Sequence, residues 1–350
     1  MQDFCCQIFS CESKLKNLII EKMKTPITQS EAWAKLQKDL GEKAVFQKAE
    51  SYQFLAIIKR TPVGNYLYCP YGPVADDKAS FRSALNLLID VAKEYEAIFV
   101  RIEPQNLEFG SCLPKNAHKS KDLNPKDTWI LDLSTPEETF ISKLPNRLLR
   151  YHRTAGKKGI IIRKTKNPEE ITHLVRLQNN LAREKGIKTF SENYLKTELS
   201  QPFATLYLAE YEERDNTSTD SEEQCTGYDN SLKKKEVVAA GLVFDDATTR
   251  YNMQGAQSDL GRHLHATGIL TIELIVDARK KGLKHFDFWG IAPEGAPDNH
   301  PWAAFTSFKK TFHGEARHYL GTYDLPLNLP KYEGYKLLRS INRIKRKAIS

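Results

Sequence analysis

Apolar residues recur along this chain with two alternating periods, one near 2 and one near 3.6, and their order predicts layered α/β structure. Ser30 is placed to cap a helix running to Leu40 and stopped by Gly41. Residues 52–59 and 64–68 read as strands separated by Thr61-Pro62. Residues 78–95 then carry apolar side chains at 81, 85, 88, 89 and 92, the spacing of one helical face, and 97–103 is a strongly apolar strand. A polar, turn-rich stretch over 104–127 leads to a further strand at 129–133. In the second half, 160–164 reads as a strand. Asn167-Pro168-Glu169-Glu170 opens a helix with a cap, a first-turn proline and early carboxylates, continuing through Ile171, Leu174, Val175 and Leu181 to Gly186. Strands at 203–210, 236–245 and 250–256 precede a helix over 266–281 closed by Gly282, a strand at 285–289, and a final strand at 317–323 after Gly314. Strand, helix, strand occurs twice, which predicts two α/β units.

Composition narrows the class. The chain has 350 residues, enough for two domains, with 40% hydrophobic and 27% charged residues. Mean hydropathy is -0.52, and no apolar run approaches the roughly 18 residues a membrane span needs. Six cysteines show no C-x-x-C pairing, so reduced thiols and a cytoplasmic location are expected. Three of them, Cys5, Cys6 and Cys11, fall in residues 1–22, which fit no later element and read as a disordered leader. Residues 211–235 are too polar to build a core and read as a disordered insertion in a hairpin. A net charge of +8 with pI near 9.0 favours polyanionic partners: RNA, anionic lipid or phosphorylated substrates.

The positive charge is concentrated. Between 144 and 166 there are many Lys and Arg and no acid, with Arg147, Arg150, Arg153 and Lys157 forming one stripe at helical spacing. A solvated helix face and a polyanion contact both fit it. From Tyr335 the chain carries Lys336, Arg339, Arg343, Lys345, Arg346 and Lys347 interleaved with Leu338, Ile341 and Ile344. Such a helix suits an anionic membrane or RNA, or packing on the first domain.

Candidate chemistry lies in residues 283–325. The strand ending at Trp289 meets Gly290, then a Pro-rich loop with Asp298, Asn299 and His300, then Phe308-Lys309-Lys310-Thr311-Phe312, where two aromatics flank a lysine pair. A lysine held by aromatics beside a long loop suits the handling of anions. No Ser-His-Asp order, H-x-x-x-H pair, P-loop or dinucleotide fingerprint is present. His263 and His265, two apart, do not share a helical face, so neither a metal nor a cofactor is expected. Residues 255–262, before the 266 helix, are weakly suited to the Gly-rich turn that binds a pyrophosphate.

Three strings together, Phe286-Asp287-Phe288-Trp289-Gly290-Ile291, Phe308-Lys309-Lys310-Thr311-Phe312 and Tyr319-Leu320-Gly321-Thr322-Tyr323-Asp324, resemble the C-terminal pattern of the Fem family. Gln29-Ser30-x-x-Trp33, the turn at 69–74 and the basic helix at 145–160 resemble it too. The family comprises aminoacyl-tRNA-dependent transferases that build peptidoglycan interpeptide bridges on two acetyltransferase-like (GNAT) domains of the α/β (α+β) class. The resemblance implies a monomer in which 23–144 with 322–350 form one domain and 145–321 the second. It implies an acceptor that is lipid II or a UDP-MurNAc-peptide, possible contact with an anionic membrane, and Lys309 as the catalytic cation. Phe308 would stack on the tRNA terminal adenosine, and Arg150, Arg153 and Lys157 would bind donor phosphates. At family acceptor positions this chain has Gln37, Phe190, Asn252 and Gln254, keeps Tyr194, and offers Lys38 and Arg183 as substitutes. Two other readings stay open: an acyl-CoA-dependent N-acyltransferase, and a catalytically silent RNA- or membrane-binding protein.

Overall fold

The computed structural model describes residues 25–134, 136–185, 189–213 and 235–349. The leader expected over 1–22 and most of the expected insertion lie outside the described residues; residues 211–212 and 235 themselves belong to strands. The chain divides into two compact units, one of Met1–Lys126 with His318–Ser350 and one of Asp127–Arg317.

In the first unit, helix α1 (Glu31–Asp39) starts where Ser30 Oγ accepts the Trp33 N–H at 3.1 Å. Strands β1 (Lys43–Lys48), β2 (Tyr52–Thr61) and β3 (Gly64–Cys69) form an antiparallel run, with β4 (Val74–Ala75) beside β2. Helix α2 (Lys78–Glu94) then crosses over, burying Phe81, Leu85 and Leu88, and delivers β5 (Ala97–Ile102) parallel to β3. All six β5 residues are buried, as expected of a central strand covered on both faces. Strand β14 (Tyr323–Pro326) pairs antiparallel with β5 and with β6 (His118–Lys119), so the sheet order is β1-β2-β3-β5-β14-β6. Helix α10 (Leu329–Ile349) follows β14 and packs on β5 through Tyr332 and Tyr335.

The second unit opens with β7 (Asp127–Asp132), α3 (Glu137–Lys143) and α4 (Asn146–Thr154). Strand β8 (Ile160–Thr165), helices α5 (Ile171–Lys185) and α6 (Glu192–Leu199), and strands β9 (Ala204–Glu212), β10 (Lys235–Asp245) and β11 (Thr249–Gln257) follow. A short α7 (Asp259–His263) and then α8 (Ala266–Lys280) lead to β12 (His285–Gly290), α9 (Ala303–Lys310) and β13 (Glu315–His318). The sheet order is β13-β7-β12-β11-β10-β9-β8, with β11 and β12 parallel and the other registered pairs antiparallel. Helix α8 is apolar nearly all round and correspondingly buried at Ile269, Leu270, Ile272, Leu274 and Ile275. Both sheets are mixed and flanked by helices, the α/β class expected.

Three expectations differ from what is observed. The division between units falls at 126/127 and not at 144/145, because β7 is hydrogen-bonded to β12 and so belongs to the second sheet. The single final strand over 317–323 is instead two, β13 and β14, in different sheets. Between them Gly321 takes φ +79°, and the Tyr319 and Leu320 N–H groups donate to the carbonyls of Lys126 and Pro104. Finally, β1, α3, α6 and α9 were not legible: β1 is a largely exposed edge strand and the helices are short, so periodicity has little length to act on.

Candidate active site

Strands β11 and β12 form a fork. They are registered at three pairs only, Thr249↔His285, Arg250↔Phe286 and Tyr251↔Asp287. Beyond these β11 continues along β10 to Gln257, while the pairing of β12 with β7 is broken between Asp287 and Gly290. Trp289 sits there at φ +65°, a left-handed conformation that a bulky side chain adopts only when its surroundings enforce it. Asp287 supplies part of that enforcement, its Oδ1 accepting the Trp289 N–H at 2.7 Å.

Lys309 closes one side of this fork. The Pro-rich loop returns into α9 under the control of Thr306, whose hydroxyl accepts the Ala292 N–H and donates to the Trp302 carbonyl, each at 2.8 Å. One turn on, Lys309 Nζ donates to the Gly290 carbonyl at 2.5 Å. Burial pushes the Lys309 ammonium down to about 8, opposed by the negative charge of Asp287. One of its three N–H donors is spent on Gly290. The neighbouring Lys310 lies instead over the Trp129 ring at 5.7 Å. Phe308 and Phe312 do not cage Lys309: they meet edge to face at 5.3 Å and pack into the core with Phe288. Phe308 is half-buried and holds α9 in place, so only part of its ring is open to a nucleoside.

The basic helix α4 packs on α8. A Cβ on Gly268 would sit 2.7 Å from Leu148, so glycine is what permits the close approach. Tyr151 of α4 stacks on His265, the residue before α8, at 3.9 Å between centroids. Arg147, Arg150 and Lys158 lie 5.5 to 5.7 Å from the Tyr151 ring, and Arg147 donates to its hydroxyl at 2.6 Å. The hydrogen bond from Arg147, with the charge of Arg150, holds the Tyr151 hydroxyl below its usual range. Burial, Arg147 and Lys158 lower His265. Arg150, Arg153 and Lys157 are exposed, and of the predicted stripe Arg147 and Arg150 lie beside Tyr151, which stacks on the residue preceding α8.

The expected acceptor residues are scattered. Tyr194, at the start of α6, is stacked by Phe190 at 4.8 Å. Gln254 on β11 accepts from Gln178 of α5 at 3.0 Å. Arg183 lines a cavity of about 480 Å³ with Arg176, Arg262, Gln257 and Ser258. Lys38 is an exposed residue of α1 in the first unit, and Gln37 beside it is buried. Residues 255–262 form the last turn of β11 and α7, whose Gly261 N–H is taken by Ser258 Oγ and whose Arg262 N–H is taken by the Ser258 carbonyl. Those groups are therefore not presented to a pyrophosphate. Sequence reasoning assigned no role to Asp287, Tyr151 or Arg176; an aromatic inside a basic run was the one available signal, at Tyr151. Among the described residues no cluster of His, Cys, Asp and Glu is arranged to hold a metal.

The mixed α/β fold of the chain is shared with solved proteins. FemX aligns at TM-score 0.70 with 16% identity, over 88% of this chain and 94% of that one. The C-terminal domain of a putative lysylphosphatidylglycerol synthetase from Agrobacterium fabrum aligns at TM-score 0.56 with 11% identity, over 89% and 90%. Residues 204–340 match the model of the FemAB family. Aminoacyltransferase FemA of Staphylococcus aureus is 26% identical over 104 residues, 30% of this chain. That match spans about a quarter, 24%, of the relative's length.

Proposed function

We propose that this protein transfers an aminoacyl group from charged tRNA to an amine of a peptidoglycan precursor, lipid II or a UDP-MurNAc-peptide, in the cytoplasm. The amine attacks the carbonyl of the aminoacyl ester; the new C–N bond forms, the ester C–O bond breaks and the tRNA leaves with its hydroxyl. Negative charge develops on the carbonyl oxygen, and a fixed cation lowers that barrier. The observation that carries this reading is Lys309, fixed on Gly290 at the fork with donors to spare and with Asp287 favouring its charged form. Arg150, Arg153 and Lys157 would contact donor phosphates, which makes donor binding salt-sensitive. The exposed edge of Phe308 would meet the terminal adenosine. On the acceptor side, Arg183 with its cavity, Tyr194, Gln254 and Lys38 remain the residues to test. The reading also takes the protein to act as a monomer.

The test is transfer of labelled amino acid from a pool of charged tRNAs, with and without precursor, by wild type and Lys309→Ala. Precursor-dependent transfer that drops about a hundredfold or more in the variant is expected. Absence of transfer from every charged tRNA would refute the reading and direct attention to acyl-CoA donors.

A further inference from the structure

We propose that helix α10 is a membrane-docking element whose outward face inserts shallowly into an anionic bilayer surface. The helix is fixed to its own unit by one side. Tyr332 is only 2% exposed, its hydroxyl donates to Asp324 at 3.1 Å, and its ring meets Phe99 at 5.2 Å. Tyr335 packs on Phe99 at 4.9 Å and lies over Arg101. With about 100° between successive residues, Leu337 and Ile341 point away from these tyrosines. They are 62% and 39% exposed, which is unusual for two large aliphatics one turn apart on a helix with a well-packed opposite side. In sequence the same row continues to Ile344 and Ala348, so the apolar positions run at i, i+4, i+7 and i+11.

Charge decides what covers this row. The helix carries seven Lys and Arg and a single acid, Glu333, which is already bonded to Lys336 at 3.0 Å. By helical position Lys336 flanks the row on one side and Lys331 on the other. An apolar stripe bordered on both sides by long basic side chains matches a bilayer interface with anionic headgroups: the stripe enters the acyl boundary and the cations reach the phosphates. A nucleic acid would use the cations and leave the aliphatics in water, and a second copy of this chain would set like charges against each other. No helix among the described residues is long and apolar enough to cross a membrane, so any attachment through α10 is peripheral. The inference stands apart from the transfer reading, although the two together would select a lipid-linked acceptor.

The experiment is co-sedimentation of the full chain with vesicles of phosphatidylglycerol mixed into phosphatidylcholine, and with phosphatidylcholine alone. Binding should require phosphatidylglycerol and weaken with salt. It should fall about tenfold or more in the Leu337→Glu, Ile341→Glu double variant, while the melting temperature stays at the wild-type value because both side chains are exposed. A second variant, Lys336→Gln with Lys345→Gln, should lower binding to a smaller degree. No association with phosphatidylglycerol vesicles, or equal binding by the double variant, would overturn the proposal. So would a double variant that keeps vesicle binding but loses tRNA binding or self-association. Precursor-dependent transfer in solution is read separately, so failure of one assay leaves the other interpretable.

Discussion

The two units share a plan and differ at one joint. In each, an antiparallel run ends on a strand that pairs in parallel with the product of a crossover helix: β3 with β5 across α2, and β11 with β12 across α8. In the first unit the parallel pair is zipped from Asn65↔Ala97 to Cys69↔Ile102, the end of both strands. In the second it stops at Tyr251↔Asp287 and opens. The charges follow suit. At the closed end Arg101 is bound by both oxygens of Asp324 at 2.6 and 2.8 Å, and Glu103 accepts from Tyr68, Asn124 and Thr322. At the open end Lys309 keeps one fixed bond to a carbonyl and a depressed proton affinity. The same architecture thus pairs its buried charges at the closed end of one unit and leaves Lys309 bonded to a neutral carbonyl at the open end of the other.

The comparison can be broken by mutation. The largest effect is expected from Arg101→Ala, which strands the Asp324 carboxylate, only 2% exposed; chemical denaturation should show a loss of about 3–5 kcal/mol. Lys309→Ala should reverse the pattern. Transfer falls 10²- to 10³-fold, equivalent to about 2.7–4 kcal/mol of transition-state stabilisation, while the melting temperature holds or rises because a partly desolvated cation is gone.

Glu198 extends the contrast within the second unit. It is 3% exposed with an Oε2 that has no partner, and burial raises its carboxyl to about 8. Folded Glu198 holds its proton where an unfolded glutamate has lost it, so its contribution to stability declines as pH rises from about 4.3 to about 8. Glu198→Gln should therefore stabilise the protein by about 1–2 kcal/mol at pH 8 and by less at pH 5; an equal gain at both would show the carboxyl ionises normally. The smallest effect is the pH profile itself. If Lys309 acts as a cation, transfer declines as pH rises through about 8, whereas stability increases over the same interval up to the unfolded lysine value near 10.4. Lys309→Arg should carry that limb upward in whatever activity it retains.

Long periodic elements were readable: α2, β5, α8 and the strands 203–210 and 236–245 follow from spacing alone, because burial of one face or both leaves a pattern in the residues. The strings around Asp287 and Lys309 were readable as a resemblance, and Ser30 as a helix start. What spacing could not supply was which sheet a strand joins. β7 and β14 each sit beside a strand distant in sequence, β12 and β5, and local pattern carries no information about such partners. Nor could it show where the β11 and β12 pairing ends, since that depends on Trp289 being held at positive φ by the Asp287 carboxylate and on Thr306 steering α9. Local pattern carries the longer elements, their order and the charged and aromatic residues available. Only the tertiary structure decided that Lys309 faces Gly290 while Lys310 faces Trp129, because two adjacent residues on one helix part company by about 100°, and the surroundings each then meets come from elsewhere in the chain.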